Sequence, residues 1–465
     1  MQLKDYSGMR PHSGIGINKQ EGSFPRAFMK LSFGVFSRYL PNSTPMKVLL
    51  KKARIIAPTS PFHGRQKDIS IRDGIIDGIG DDLLQLDQQL VEIPNLHVSS
   101  GWVEVFADFG EPGNEQHETI ETGINAAMAG GFTDVFLIPN NKPATSTRSQ
   151  VDYLRRRAGN NAVTLHPIAS VSKDLLGTEL AEMYDMAEAG AVAFSDGLNP
   201  VQNSGLMLKA LQYVLPIQAN IIQVPIDTHL SKHGLLNEGI MSTRLGMPGK
   251  PGLAEELALH RDLKLLEYTG SRLHVTGIST AQSLSQVMNA KQAGLRITCS
   301  VTPYHCSLDD DILEKYDTRY KVDPPIRSAT NRDAIKQAVK NGMIDCFASH
   351  HLPRNWDEKT CEFEYASYGM EGLETAFGVY NNLGASLDTV ITMLTSNPRL
   401  IFNLPNSHIE VGEKACLTLF DPQKTWIADE KHIRSASKNN GFLGIEMKGK
   451  VLGTINNSKF VQQEI

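Results

Sequence analysis

The chain has 465 residues, of which 41% are hydrophobic and 21% are charged, and its formal net charge is −5. This composition is ordinary for a soluble globular protein, and the length predicts two or three structural units. The weak negative charge and the lack of a basic block predict that the chain binds neither nucleic acid nor an anionic membrane surface. No apolar run approaches the ~20 residues that a membrane-spanning helix requires.

The first 45 residues differ from the rest of the chain in composition and hydrophobic pattern. Residues 1–45 are rich in Gly, Pro, Ser and Asn and show no sustained apolar period, whereas a strand pattern starts at Met46-Lys-Val-Leu-Leu. We therefore predict that residues 1–45 are a disordered N-terminal extension, or that Met46 is the true initiator.

Short apolar runs alternate with helix-length spacers between residues 101 and 404. The first run is followed by a predicted amphipathic helix from Glu118 to about Ala129, which Gly130-Gly131 ends. The candidate strands are Val103–Phe106, Thr133–Ile138, Thr164–Ser170, Val192–Phe194, Ile221–Val224, Arg272–Ile278, Arg296–Val301 and Asp345–Ala348. Eight β/α units predict an α/β fold, a (β/α)8 TIM-type barrel over residues 101–404.

The two flanks of this region consist of short strand patterns with turns. Asp68–Gly74 is one example, and Glu410–Phe420, which the pair Asp421-Pro422 is predicted to close as a turn, is another. We predict that residues 46–100 and 405–465 pair into a small β-sandwich formed by both termini.

The cysteines are five in number, and none forms a Cys-x-x-Cys pair: they are Cys299, Cys306, Cys346, Cys361 and Cys416. Their odd count and wide spacing predict reduced thiols in a cytoplasmic protein and do not favour a zinc cluster.

The stretch Glu104-Val-Phe-Ala-Asp-Phe-Gly-Glu-Pro-Gly113 resembles the first-strand signature of dihydroorotases, Asp-x-His-x-His-x-Arg-Glu-Pro-Gly. Further segments resemble that family in the same order along the chain: Thr119–Gly123, Ile138–Pro143, Ala189–Asp196, Lys321–Arg327, Gly372–Ala376 and Ser396–Pro398. The resemblance implies an amidohydrolase-superfamily fold and a link to pyrimidine synthesis, where dihydroorotase hydrolyses a cyclic amide at a two-metal centre.

The metal ligands that the resemblance implies are largely replaced. The family uses two His on strand 1, an Asp or carboxylated Lys after strand 4, single His after strands 5 and 6, and an Asp base after strand 8. The corresponding residues here are Phe106 and Asp108, then Asp196, then Val224 and Gly277, then His350 at the position of the base. Phe, Val and Gly offer no lone pair, so a dinuclear centre is not expected.

The substrate contacts that the resemblance implies also change. The Arg that holds the substrate carboxylate is Gly110, the Asn of an Asn-Pro-Pro motif is Asp323, and a loop His after strand 8 is Arg354. Asn140 matches a substrate-binding Asn of the family. Asn140, Asp323 and Arg354 are therefore the candidate pocket residues.

Two interpretations of the remaining polar residues stay open. Asp108, Asp196 and His350 would form a single-ion set at the barrel mouth for a divalent ion such as zinc. The favoured alternative is a charge-assisted hydrogen bond between Asp108 and His350, with no cofactor. The adjacent His351 is expected to point into the scaffold.

The leading hypothesis is a catalytically impaired dihydroorotase-like protein that serves binding or assembly. Ligand-depleted members of the family assemble with aspartate transcarbamoylase, which makes that enzyme the expected partner, and a homo-oligomer is also expected. The alternative is an active, metal-dependent cyclic-amide hydrolase with a rebuilt one-metal site.

Overall fold

A computed structural model describes residues 46–463, so the predicted extension over residues 1–45 lies outside the described residues. The described chain forms two eight-stranded sheets and one two-stranded ribbon. The strands are β1 (Lys47–Ile55), β2 (Gln66–Arg72), β3 (Ile75–Gly80), β4 (Gln89–Val91), β5 (His97–Ser100), β6 (Trp102–Ala107), β7 (Phe132–Leu137), β8 (Thr164–Ala169), β9 (Ala193–Phe194), β10 (Ile221–Gln223), β11 (Leu236–Asn237), β12 (Gly249–Lys250), β13 (Leu273–Thr276), β14 (Ile297–Val301), β15 (Cys346–Phe347), β16 (Leu417–Ile427), β17 (Glu446–Asn456) and β18 (Lys459–Gln462).

The helices of the described chain lie mostly between consecutive barrel strands. They are α1 (Ile120–Gly130), α2 (Arg148–Ala158), α3 (Met183–Glu188), α4 (Ser204–Tyr213), α5 (Ile240–Leu245), α6 (Gly252–Thr269), α7 (Ala281–Gln292), α8 (Pro303–Ser307), α9 (Ala329–Lys340), α10 (Trp356–Lys359), α11 (Leu373–Tyr380), α12 (Leu387–Leu394) and α13 (Ser396–Ile401), with short 3₁₀ turns at Lys173–Leu175, Asp310–Lys315 and Thr318–Tyr320. Within residues 46–463, no helix combines the length and the apolar character that crossing a lipid bilayer requires.

One sheet is the predicted barrel. Its order is β6-β7-β8-β9-β10-β13-β14-β15, and the pairing is parallel throughout. All eight candidate strands are present, with ends that differ from the predicted ones by at most two residues. A parallel bridge between Ala107 and His351 connects the end of β6 to the segment after β15, so the sheet nearly closes on itself. The fold prediction is confirmed.

The sequence of β6 and α1 explains why this β/α unit forms. Every residue of β6 is buried, as expected for a parallel strand that is covered on both faces. The α1 helix begins after Thr119, whose side chain accepts a hydrogen bond from the Thr122 amide, and it ends at Gly131, where φ is 88°. A left-handed residue at this position is a common helix terminator, and glycine adopts it without strain.

The second large sheet is built from both ends of the described chain. Its order is β18-β17-β16-β5-β1-β2-β3, with β4 paired to β1. The antiparallel pairing of β5 with β16 joins the two ends, and the sheet has its own apolar core around Leu50, Val98 and Leu419. This arrangement fits the predicted β-sandwich of both termini.

The turn predicted at Asp421-Pro422 is wrong. Both residues lie inside β16, where the register against β17 shifts between Asp421 and Thr425. Bulges of this kind place extra residues on one strand without ending it, so a turn-forming pair is tolerated within a continuous strand.

Candidate functional site

A cavity of about 340 Å³ opens at the barrel mouth, beyond the carboxyl ends of the strands. This face carries the active sites of (β/α)8 enzymes. The wall of the cavity is formed by Leu198, Pro200, Val224, Ile226, Thr228, Ser231, Asp323, His350, Leu352, Arg354, Ser367 and Tyr368. Three of the residues predicted from the sequence, Asp323, His350 and Arg354, therefore lie on one pocket.

His350, which lines the cavity, packs against a second ring. Phe106, at the end of β6, and His350, just after β15, have ring centroids 4.4 Å apart and planes inclined by 30°. Both residues are buried. His350 Nε2 lies 2.7 Å from Thr276 Oγ1, which fixes the imidazole against β13.

Gly277 makes room for this histidine. A Cβ atom at position 277 would lie 2.8 Å from His350 Cε1, and φ of Gly277 is 74°, a backbone conformation that favours glycine. The imidazole of His350 thus occupies the space in which any side chain at the strand 6 ligand position would begin.

His350 is electrically neutral at physiological pH. Burial, with smaller contributions from the nearby His305 and His274, lowers its pKa from 6.5 to about 3. An imidazole with such a low pKa is a poor general base near neutral pH, where efficient bases have a pKa close to the ambient pH.

The two mouth carboxylates already have hydrogen-bond donors. Asp108 Oδ1 accepts a bond of 2.8 Å from the Gly110 amide. Asp196 Oδ1 accepts bonds of 2.9 Å from the Val171 and Ser172 amides, and its Oδ2 accepts one of 2.5 Å from the Ser172 hydroxyl. Burial raises the pKa of Asp196, although these donors act in the opposite direction.

The structure does not bring Asp108, Asp196 and His350 together as a ligand set. Among residues 46–463, one trio of potential ligands lies within 4.8 Å, and it consists of His351, Glu371 and Glu374. The hydrogen bond predicted between Asp108 and His350 is also replaced, because the Nε2 atom of His350 pairs with Thr276 and Asp108 caps the turn at Gly110.

The position of the missing substrate Arg cannot hold a side chain. At Gly110, where φ is 67°, a Cβ atom would lie 2.5 Å from the Asn114 carbonyl oxygen and 2.7 Å from that of Glu118. The backbone of the loop after β6 thus fills the space that the family gives to its carboxylate anchor.

The three candidate pocket residues have different surroundings. Asn140 is used by the scaffold, because its Oδ1 accepts a bond of 3.0 Å from the Leu198 amide. Asp323 Oδ2 pairs with Lys250 Nζ at 2.7 Å, and Arg354 donates through Nε to the Tyr368 carbonyl at 2.7 Å. Asp323 and Arg354 border the cavity, whereas Asn140 does not line it.

Sequence reasoning missed Thr276, Lys250 and Tyr368. Thr276 directly precedes Gly277 at the end of β13, so its place at the mouth could have been found from the strand boundary. Lys250 and Tyr368 lie on long connections after β10 and β15, where no period in the sequence indicates which residues face the cavity.

The residues present do not fit the two-metal centre that the family resemblance implies. Phe106, Val224 and Gly277 cannot ligate a metal, and the ring of His350 fills the space beside Gly277. The remaining acids, Asp108 and Asp196, are hydrogen-bonded to backbone amides.

The chain is similar to known proteins in both sequence and structure. The family model described as "Dihydro-orotase-like" matches residues 97–283. A protein named Dihydroorotase from Syntrophus aciditrophicus (strain SB) is 37% identical over 426 residues, which cover 90% of this chain and 100% of the relative. A second Dihydroorotase, from Pelotomaculum thermopropionicum, is 38% identical over 425 residues, covering 90% of this chain and 99% of the relative.

Solved structures agree on the fold. The L-hydantoinase (dihydropyrimidinase) from Arthrobacter aurescens has a TM-score of 0.79 at 21% identity, covering 90% of this chain and 96% of that one. A D-hydantoinase (dihydropyrimidinase) from Thermus sp. has a TM-score of 0.75 at 20% identity, covering 90% of this chain and 97% of that one. Because relatives that are 37% and 38% identical cover 90% of this chain, the chain belongs to the dihydroorotase family of the amidohydrolase superfamily.

Proposed function

We propose that this chain is a dihydroorotase-family protein of pyrimidine biosynthesis that does not hydrolyse dihydroorotate and instead serves binding or assembly. The observation that carries the proposal is the ring pair of Phe106 and His350, packed at 4.4 Å where the family holds its metals. The five free thiols agree with a cytoplasmic role.

Hydrolysis of a cyclic amide near neutral pH needs an activated water and a polarised carbonyl group. A bound metal supplies both, since it lowers the pKa of its water from about 15.7 towards 7. The mouth of this barrel presents instead the apolar side chains of Val224 and Ile226 and the neutral imidazole of His350. No residue in this arrangement replaces the activating ion.

Binding of dihydroorotate is weakened as well. The loop at Gly110 excludes a side chain, so the charge-assisted contact to the substrate carboxylate is missing at that position. Loss of such a contact costs about 1.5–3 kcal/mol.

A second function is favoured by the names of the relatives. Proteins 37% and 38% identical over 90% of this chain are named Dihydroorotase, which supports an active cyclic-amide hydrolase. Such an enzyme needs a rebuilt one-metal site on Asp108, Asp196 and His350. His350 would have to leave Thr276, and Asp196 would have to give up donors from Ser172.

Turnover distinguishes the two functions. We expect neither ring opening of dihydroorotate nor ring closure of carbamoyl aspartate above the rate without enzyme, even with excess zinc, because no group activates water. The relative from Syntrophus aciditrophicus, assayed in parallel, controls for the conditions. Zinc-dependent turnover that Asp108→Ala abolishes and the surface variant Asp87→Ala retains would establish the hydrolase instead.

The assembly half of the proposal rests on the family resemblance. Purified aspartate transcarbamoylase mixed with this chain is expected to elute as one complex in size-exclusion chromatography, and the chain alone as a homo-oligomer. Separate elution of the two proteins, with this chain at its monomer mass of 51.2 kDa, would contradict that half and leave the turnover result untouched.

A further inference from the structure

A cluster of buried ionisable groups lies behind the barrel mouth and outside the cavity. It consists of His351, Glu371, Glu374 and Glu118, which are called the buried acid cluster below. Relative exposures are 0% for His351, Glu371 and Glu118 and 6% for Glu374. These residues come from the segment after β15, the start of α11 and the loop before α1, so the fold alone brings them together.

Three side-chain atoms of the cluster have no hydrogen-bond partner within the described residues: His351 Nε2, Glu371 Oε1 and Glu374 Oε2. The same three residues each offer a ligand atom within 4.8 Å of the others. An unsatisfied buried polar group costs about 1–3 kcal/mol, so convergence of three in one place indicates a missing partner.

The other oxygens of the carboxylates are held in place. Glu371 Oε2 accepts a bond of 2.6 Å from Asn440, and Glu374 Oε1 accepts bonds of 2.7 and 3.0 Å from the amides of Arg434 and Ser435. Outer hydrogen bonds of this kind orient metal-binding carboxylates in known sites. Here they leave one oxygen of each glutamate directed into the cluster.

The excess of carboxyl groups in the cluster also favours binding of a cation. Three carboxyl groups face one imidazole, and His351 Nε2 lies 3.6 Å from Glu118 Oε2. Burial raises the pKa of Glu371 well above its usual value, and repulsion from Glu374 raises it further. A bound cation would relieve both effects.

We propose that the buried acid cluster binds one divalent transition-metal ion, zinc or manganese, through His351 Nε2, Glu371 Oε1 and Glu374 Oε2. Imidazole and carboxylate are ordinary ligands for such ions, at about 2.0–2.2 Å from zinc. Binding draws the three atoms together and places the ring proton of His351 on Nδ1. The contact of 3.4 Å from the Gly372 amide to Nδ1 is then given up.

This site is distinct from the barrel mouth, because it contains none of Asp108, Asp196 and His350. Its role is structural: the ion would connect the segment after β15 to α11. The competing arrangement is a single proton shared between Glu371 and Glu374, which satisfies the same oxygens without a metal.

Elemental analysis of the full chain, expressed in zinc- or manganese-supplemented medium and purified without chelator, tests the proposal. We expect about one ion per chain in the wild type, because the cluster offers a single site. The conservative variant Glu371→Gln should lose at least tenfold in metal content. The mouth variant Asp108→Asn is the matched control and should keep its ion.

Other outcomes overturn the proposal. A metal-free wild type, with Glu371→Gln equally stable, assigns the cluster to a shared proton. Loss of the ion from Asp108→Asn but not from Glu371→Gln assigns the metal to the mouth. Should Glu371→Gln not fold, equal melting temperatures of wild-type protein refolded with zinc and with EDTA refute the site. None of these results depends on turnover, which tests the proposed function separately.

Discussion

Gly277 and His350 depend on each other at the end of β13. His350 has φ of 48°, a conformation that costs a non-glycine residue about 1–2 kcal/mol, and its ring is held by Phe106 and Thr276. The imidazole can occupy this place only because position 277 has no Cβ atom. Restoring a histidine at position 277 alone would therefore produce a clash and no metal ligand.

Gly277→Ala should destabilise the protein more than the same substitution at a glycine where the added Cβ atom meets no neighbouring atom. The matched control is Gly294→Ala, where φ is 84° and nothing lies within 4 Å of the added Cβ. Both variants carry the backbone cost of about 1–2 kcal/mol. Gly277→Ala should cost ~1–3 kcal/mol more, because the buried His350 ring must shift. Urea unfolding measures both, and equal costs would contradict the mutual dependence.

The replaced ligand positions could be predicted from the sequence, because the family resemblance places each of them at or near the end of a barrel strand. The ring pair could not. Its geometry depends on the left-handed backbone at His350, which a non-glycine residue rarely adopts and which no spacing indicates. For the same reason, the predicted partner of His350 was Asp108, whereas the structure pairs it with Thr276.

Among the secondary-structure elements, β7, β8 and α13 are joined by one buried ionic group. Asp134 on β7 accepts bonds from His166 on β8 at 2.8 Å and from Arg399 on α13 at 2.6 Å. Arg399 also donates to the Gly101 carbonyl at 3.1 Å. Burial alone would raise the pKa of Asp134, but His166 and Arg399 outweigh it and lower the pKa to about 2.

Asp134→Asn should cost about 3–5 kcal/mol of unfolding free energy, because it leaves the buried Arg399 charge uncompensated. Since the folded pKa lies below the ordinary 3.8, the contribution of Asp134 is present above pH 3.8 and is lost as the pH falls towards 2. Denaturant unfolding from pH 7 to pH 2 should show this loss in the wild type and not in Asp134→Asn.

The control for this variant is Asp87→Asn. Asp87 pairs with Lys47 at the surface and has a side chain 52% exposed, so its loss should change stability by less than about 1 kcal/mol. Similar costs for the two variants would show that the Asp134 group contributes no more than a surface ion pair.

The strands and the first helix could be predicted because period and turn residues act locally. The register shift inside β16 could not, since Asp421-Pro422 has the composition of a turn and only the partner strand β17 keeps it extended. The buried acid cluster was also missed. Glu118 is far from the other three members in the sequence, so no local spacing indicates the cluster. Glu374 also lies in a stretch that carries the family resemblance.

At the scale of the whole molecule, Trp102 is a buried contact between the barrel and the terminal sheet. Its ring lies 4.7 Å from Phe377 on α11 and 5.5 Å from Phe420 on β16, and its Nε1 donates to Ser99 at 2.9 Å. The side chain is fully buried. Packing of this kind should make the barrel and the terminal sheet unfold together.

Trp102→Ala should therefore cost about 3–5 kcal/mol, as large-to-small core substitutions do, while unfolding remains a single transition. Trp356→Ala is the matched control, since Trp356 is 77% exposed and should change stability little. Calorimetry checks both variants. Two separate unfolding transitions in Trp102→Ala would mean that Trp102 alone couples the two sheets. An unchanged melting temperature would mean that Trp102 does not couple them.

The pairing of β5 with β16 has a consequence for synthesis on the ribosome. β5 leaves the exit tunnel before the entire barrel, and its hydrogen-bonding partner β16 leaves only after the barrel. Until then the nascent chain carries an open strand edge, a surface that recruits other strands. Premature termination upstream of Leu417 would make this edge permanent, so incomplete polypeptides should become targets of chaperones and proteases.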